Sequence, residues 1–270
     1  MHKTILITGS TDGIGLEAAR VLVSLGHHVL LHGRNPAKLA SAEREFAALP
    51  GDGRAEGFEA DLSALAQVEA LAKAVAGNHQ HVDVLINNAG VFAAADPATS
   101  DGLDVRFAVN TIAPFLLTQR LLSRLGASGR VINLSSAAQS PVDLDALVGR
   151  PRLSDGAAYA QSKLALTMWS RSLALSLGGQ GPAIVAVNPG SMLGTKMVQE
   201  AFGVAGGDVG IGAEILRRAV LTDEFATASG QYFDNDSGQF AAPHPDAMDP
   251  KKCQDVVDAV ESVLARHRLG

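Results

Sequence analysis

The sequence predicts an α/β domain, an open doubly wound parallel sheet of seven strands flanked by helices. Three observations carry this. Short aliphatic runs alternate with longer stretches whose apolar residues recur at i, i+3, i+4. The runs are nearly continuous hydrophobic segments, as strands buried on both faces should be. No Pro/Ser-rich linker, repeat or low-complexity tract divides the 270 residues, so a single domain is expected over 1–270.

The elements follow in order. Thr4–Thr8 is the first strand, and Gly15–Leu25 the first amphipathic helix, closed by Gly26. His28–His32 is the second strand. Asn35-Pro36 then offers an N-cap and a proline at the first helical position, opening a helix to Leu49. Arg54–Phe58, Val82–Asn87, Arg130–Leu134 and Ala183–Asn188 read as strands, and Gln231–Phe233 as a weaker seventh. Ala64–Ala76, Asp101–Leu125 and Ala158–Leu177 read as the helices between them. The segments 137–156, 191–212 and 234–250 break the rhythm after strands five, six and seven. Ligands of such sheets bind outside the carboxyl ends of the strands, so these irregular segments are read as site walls.

Composition narrows the function. Apolar residues make up 47% of the chain and charged residues 19%, which excludes a largely disordered protein. Lys+Arg 22 against Asp+Glu 28 leaves −6, unfavourable for a nucleic-acid or anionic-membrane partner. Cys253 is the single cysteine, so an intrachain disulfide and a Cys-rich zinc site are both excluded. The chain opens on Lys3-Thr4-Ile5-Leu6-Ile7-Thr8, too short an apolar run for a signal peptide or membrane anchor. A cytoplasmic protein is expected.

The first strand runs into Gly9-Ser10-Thr11-Asp12-Gly13-Ile14-Gly15 and then a helix. Positions without side chains let the main chain approach a pyrophosphate, whose charge is met by amides at the helix N-terminus. The second strand ends in Gly33-Arg34-Asn35, with no acid to accept from a ribose 2′-hydroxyl. The Arg34 guanidinium suits a 2′-phosphate, which favours NADP(H) over NAD(H). Asp12 places a negative charge in the turn, against that preference.

Thr8-Gly9-x-x-x-Gly13-x-Gly15, Asp61-Leu62, Asn87-Asn88-Ala89-Gly90, Asn110, Ser135-Ser136, Tyr159-x-x-x-Lys163 and Asn188-Pro189-Gly190 follow one another in this order. Together they resemble the short-chain dehydrogenase/reductase family over essentially the whole chain. The long spacer from Ser136 to Tyr159 and the Ser229-Gly230-Gln231-Tyr232-Phe233 segment resemble its branch of retinol-dehydrogenase-like and protochlorophyllide-reductase-like enzymes. The resemblance implies a Rossmann-type domain in which Gly9 to Gly15 cradle the pyrophosphate and Arg34, with Asn35 beside it, meets the 2′-phosphate. It further implies that Asp61, next to Leu62, bonds the adenine and that Asn88-Ala89-Gly90 pass the adenine ribose. Pro189-Gly190 would border the nicotinamide. The usual threonine falls at Gly194 here, so Thr195, one residue on, is the candidate for the carboxamide.

Tyr159 and Lys163 project from one helix face a turn apart. A phenol of pKa about 10 is a poor base at neutrality, and a neighbouring ammonium is expected to lower it. Tyr159 would then exchange a proton with substrate oxygen and Ser136 would stabilise the charge developing there. By the resemblance, Lys163 also holds the nicotinamide ribose and Asn110 holds a water in a proton relay. The second serine of such a pair is the family's catalytic one, hence Ser136 and not Ser135. The reaction implied is hydride transfer between nicotinamide and a carbonyl or alcohol. The other reading is a non-enzymatic NADP-binding regulatory or scaffold protein, which has no need of the acid–base group. A sugar-nucleotide epimerase would want a larger C-terminal portion than the chain has after Pro189.

The glycines of 191–212 suggest a mobile lid, with Met192, Met197, Phe202 and Val142 as apolar pocket walls. Asp101–Leu125 and Ala158–Leu177 are the expected contacts of a homodimer or homotetramer. His79-Gln80-His81 reads as a surface loop, His244 receives no role, and no metal is expected. Met168 and Trp169 read as core or subunit interface, Cys253 as an inert thiol.

Overall fold

A computed structural model describes residues 2–269, with Phe202 described by its backbone alone. The first half comprises β1 (Thr4–Ile7), α1 (Gly13–Ser24), β2 (His28–Gly33), α2 (Pro36–Ala47), β3 (Arg54–Glu59), α3 (Leu65–Asn78) and β4 (Val84–Asn87). A turn of helix, α4 (Val105–Phe107), continues through a π-helical stretch, Ala108–Ile112, into α5 (Ala113–Leu125) and then β5 (Arg130–Leu134). After these come α6 (Leu144–Leu147), α7 (Asp155–Leu177), β6 (Ala183–Asn188), α8 (Lys196–Phe202), α9 (Val209–Leu221) and α10 (Asp223–Ala226). The chain ends with β7 (Tyr232–Asp234), β8 (Gln239–Ala241), a 3₁₀ turn at Pro245–Met248 and α11 (Pro250–Arg266).

The strands lie in the order β3-β2-β1-β4-β5-β6-β7-β8. Side-chain alternation explains two packed layers. Leu6, Leu30, Leu85, Val131 and Ile184 join the core built by α3, α5, α7 and α11. Their neighbours Ile5, Ile7, Val29, Leu31, Val84, Ile86, Ile132, Val185 and Val187 join the core on the α1, α2 and α9 face. Both faces are therefore covered, as the continuous hydrophobic runs require.

The sheet has one strand more than expected. β8 pairs antiparallel with β7, Phe233 opposite Phe240, across the turn 235–238. Phe240 fills the edge against Phe225 and Phe233, with ring centroids 5.2 and 5.0 Å away. The segments expected to be irregular also hold regular structure: α6 within 137–156, α8 and the start of α9 within 191–212, and β8 within 234–250. In the second of these the glycines close the loop on itself. Gly194 N donates to Gly207 O and Gly207 N to Met192 O, both at 2.7 Å. A Cβ on Gly206 would stand 2.6 Å from the Gly194 Cα, so the two arms are in backbone contact.

Helix α11 packs along α7, placing Val256, Val260 and Val263 in the same core as Leu164 and Trp169. Trp169 meets Phe115 edge-on at 5.4 Å, and Met168 is buried beside it. One flank of α7, expected to face a second copy, is thus covered from within the chain. Among the described residues no helix is long and apolar enough to cross a membrane.

Candidate active site

Strand order reverses between β1 and β4, and the crevice at their carboxyl ends is where an open α/β sheet presents its site. Asn88 ties the two ends together, its Nδ2 donating to Thr8 O at 2.8 Å and Gly9 O at 3.0 Å. Gly9 adopts φ +65, and a Cβ there would lie 2.9 Å from the Ala89 Cα. A Cβ on Gly15 would lie 2.4 Å from Asn88 Nδ2. Both positions require glycine for the turn to reach the β4 end.

The turn is held by a residue that sequence reasoning passed over. Gly9 N donates to His32 Nδ1 at 3.0 Å, and His32 Nε2 bonds Ala60 O at 3.1 Å. Ser10 exchanges bonds with the His32 main chain. Gly9 and Ser10 amides are therefore spent on the protein, whereas the sequence reading gave the whole turn to an anion. The amides of Ile14 and Gly15, in the first turn of α1, are among those left to face a ligand.

Asp12 caps α1, accepting from Gly13 N at 2.9 Å, and also pairs with Lys38 Nζ at 2.6 Å. The Lys38 ammonium holds the Asp12 carboxyl below the ordinary carboxylate range. The negative charge in the turn is thereby balanced by a lysine one helical turn beyond Arg34, which stands exposed at the end of β2. Asn35 caps α2 by accepting from Lys38 N at 3.1 Å. Asp61 accepts from both Ser63 N and Ser63 Oγ, and Leu62 is buried in the core. Leu62 thus presents only main chain to a ligand.

Past β5 the two serines diverge. Ser135 is buried, its Oγ 2.7 Å from Thr167 Oγ1. The Ser136 hydroxyl accepts from Ala138 N at 3.1 Å and lowers the pKa of the Tyr159 phenol beside it. Tyr159 packs against Phe92 at 5.0 Å between ring centroids. Lys163 Nζ lies 5.7 Å from the Tyr159 ring centroid and donates to Leu134 O at 2.7 Å.

The electrostatics depart from expectation here. Burial pushes the Tyr159 phenol above its ordinary range, and the Ser136 hydrogen bond only partly offsets this. Burial also lowers the Lys163 ammonium to about 8. Desolvation dominates the Tyr159 shift, so the lowering anticipated from Lys163 is absent from this structure.

Asn110 sits in the π-helical stretch, a widening of the helix that frequently marks functional positions. Its Nδ2 donates to Val91 O and Ser162 Oγ, and its Oδ1 accepts from Val91 N. Both amide protons are thus spent within the protein, so its side chain is not a free donor for a relay water. Gly90 marks where these groups converge: a Cβ there would meet Asn110 Oδ1, Lys163 Nζ and Met197 Cε, each at 3.5 Å.

Gly190 adopts φ +120 after Pro189. Thr195 caps α8, accepting from Val198 N at 3.3 Å, and its methyl faces Gly13. Met197 reaches the site, Met192 is exposed and Val142 packs against the core. The Phe202 side chain lies outside the described residues. A second overlooked group is Asp236, whose carboxylate accepts from Asn188 Nδ2 at 2.8 Å and from Ser191 N at 2.7 Å. The β7–β8 turn thereby grips the turn after β6.

An open sheet with a glycine turn at its reversal point and a Ser–Tyr–Lys group past β5 defines the class of nicotinamide-dependent oxidoreductases. Comparison with known proteins agrees. Residues 3–203 match the family model described as short chain dehydrogenase. Retinol dehydrogenase 13 of Homo sapiens is 31% identical over 266 residues, covering 92% of this chain and 80% of that protein. The crystal structure of an uncharacterized protein from Mycobacterium paratuberculosis superposes with a TM-score of 0.80 at 28% identity, over 97% of this chain and 92% of the other. The Pseudomonas aeruginosa RhlG/NADP active-site complex gives 0.69 at 25% identity, over 86% and 94%. The chain belongs to the short-chain dehydrogenase/reductase family, on its retinol-dehydrogenase-like branch.

Proposed function

We propose that this protein is an NADP-dependent oxidoreductase that interconverts a carbonyl compound and its alcohol, with Tyr159 as acid and base. The observation that carries the reading is the buried Lys163 ammonium 5.7 Å from the Tyr159 ring centroid, with Ser136 lowering the Tyr159 phenol. A surface lysine would have no reason to bury its ammonium beside a half-buried tyrosine.

The residues fit the dinucleotide. Gly9 and Gly15 let the turn close on the β4 end, and the Ile14 and Gly15 amides with the α1 dipole suit a pyrophosphate. Arg34, with Lys38 near it, suits a 2′-phosphate, and the group around Gly90 suits the ribose and nicotinamide end. When bound, the nicotinamide supplies or takes up the hydride. Tyr159 gives its proton to the substrate oxygen in reduction and removes it in oxidation. Ser136 steadies the charge on that oxygen by donating its hydroxyl hydrogen. Lys163, charged below about pH 8, favours the phenolate form of Tyr159 once a polar ligand relieves its burial.

The apolar Met197 beside Lys163 and the retinol dehydrogenases among the relatives support a hydrophobic aldehyde or alcohol as substrate. A homo-oligomer through α5 and the flank of α7 that α11 leaves open remains part of this proposal. The deciding experiment is Tyr159→Phe, assayed with NADPH against para-nitrobenzaldehyde, nonanal and all-trans-retinaldehyde. The variant should bind NADPH like the wild type and lose turnover by about a thousandfold. Undiminished turnover would remove Tyr159 from the reaction; NADPH binding with no turnover even in the wild type would favour a regulatory protein.

A further inference from the structure

We propose that Tyr232, at the start of the β7–β8 hairpin, is a positioning residue that aims the Ser136 hydroxyl at Tyr159. This rests on the reading of Ser136 and Tyr159 given above and extends the site to a strand distant in sequence. The chain has only two tyrosines, and both act on or through Ser136. Tyr159 meets its hydroxyl. Tyr232 donates its phenol hydrogen to the Ser136 carbonyl at 3.1 Å, 96 positions away in sequence.

The preceding residue is already fixed, because Ser135 N bonds Val187 O and its Oγ bonds Thr167. What remains free is rotation of the peptide plane after Ser136, and that plane is set by its carbonyl. Two donors hold this oxygen, Tyr232 Oη and, at 2.9 Å, Gln139 Nε2. Gln139 is steadied in turn by accepting from His244 N at 3.3 Å. With the plane held, Ala138 N reaches Ser136 Oγ and the hydroxyl stays directed at Tyr159.

Tyr232 suits this task because it does not ionise in the working range. Burial together with the Asp234 and Asp236 carboxylates pushes its phenol well above the ordinary value, so it remains a donor. Arg171, on α7, lines the same shallow cavity as Tyr232, its guanidinium taken by Gly230 O at 2.9 Å. The ionisable group facing Tyr159 is Lys163 of the same helix. Ser136 lowers the Tyr159 phenol, so a misaimed Ser136 lets it rise.

The test is Tyr232→Phe in the full chain carrying ring-carbon-labelled tyrosine, followed by nuclear magnetic resonance as pH is raised. Tyr159 is then the only labelled ring. It should begin to ionise at higher pH than in the wild type, moving in the same direction as in Ser136→Ala. With para-nitrobenzaldehyde and NADPH, kcat should fall about fivefold, the size of one neutral hydrogen bond, with its pH limb displaced upward and KM for NADPH unchanged. A Tyr159 signal that titrates in Tyr232→Phe as in the wild type, while Ser136→Ala shifts it, overturns the proposal. So does a loss of kcat without that shift, which would make Tyr232 merely structural. Should Tyr232→Phe fail to fold, Gln139→Leu removes the other donor and must displace the signal the same way. Turnover retained by Tyr159→Phe would overturn the catalytic reading itself; an inactive Tyr159→Phe with an unshifted signal in Tyr232→Phe overturns only the role of Tyr232.

Discussion

The Gly9 amide donates to His32 Nδ1 at 3.0 Å, and this bond ties the cofactor turn to the second strand. The opposite ring nitrogen bonds Ala60 O, so the imidazole is neutral, with its hydrogen on Nε2. Burial lowers its pKa from 6.5 to about 4. Between those values the unfolded chain takes up a proton that the folded one refuses, so stability is lost as pH falls through that window. The loss approaches about 3 kcal/mol for a group this buried. His32→Gln abolishes the titration, and its chemical denaturation should show a shallower loss of stability across the window than the wild type. Parallel pH profiles for the two proteins would mean that His32 is not the group responsible.

Cofactor preference should respond to Asp12 and Arg34 in opposite ways. The Asp12 carboxylate pairs with Lys38 at 2.6 Å on an exposed surface, where such a pair adds little stability. Asp12→Asn keeps a cap for α1 and frees Lys38, so KM for NADPH should fall severalfold, about three- to tenfold, with that for NADH little changed. Arg34→Ala should raise KM for NADPH by tenfold or more, roughly the worth of a charge-assisted contact, and spare NADH. Equal changes for both cofactors in a variant would show that the charge altered in it does not act on the 2′-phosphate.

Much of this was legible because burial on both faces writes itself into sequence as unbroken aliphatic runs. β5 and β6 fall where Arg130–Leu134 and Ala183–Asn188 predict them. The glycine turn and the i, i+4 pair of Tyr159 and Lys163 are local signals, and local signals survive without a structure. What stayed hidden depends on which distant strands are neighbours. The His32 staple needs β2 between β1 and β3, and the Tyr232 bond needs β7 brought round to the end of β5. β8, three residues long, is too short for alternation to register. α11 did carry a signal, since Asp249-Pro250 is an N-cap and proline of the same kind as Asn35-Pro36. The sign of the Tyr159 shift could not be read either, because desolvation depends on what packs around the ring.

The paired serines should separate by function. Ser136→Ala removes a hydroxyl that faces Tyr159 and should lower kcat by about a hundredfold or more with little change in Tm. Ser135→Ala removes a buried hydroxyl bonded to Thr167 and should cost about 1 kcal/mol of stability while sparing kcat. Melting curves and steady-state rates on the two variants decide the matter. A reversal of the two patterns would move the catalytic role to Ser135.

Lys163 sets stability against activity. Its ammonium is buried, and its pKa falls from 10.5 to about 8, so at neutral pH the folded protein carries a charge that burial disfavours. The unfolded lysine stays protonated up to its ordinary value, so the folded state loses the proton first and the wild type gains stability as pH rises from about 8. Lys163→Met removes the buried charge but orphans the Leu134 carbonyl, so the net gain is smaller than the pKa difference alone suggests. At neutral pH the variant should melt roughly 3–5 °C higher than the wild type while losing turnover. That advantage should shrink as pH climbs, because the wild-type lysine is then neutral when folded. A variant that melts lower at neutral pH would show that the hydrogen bond to Leu134 outweighs the cost of burying the charge.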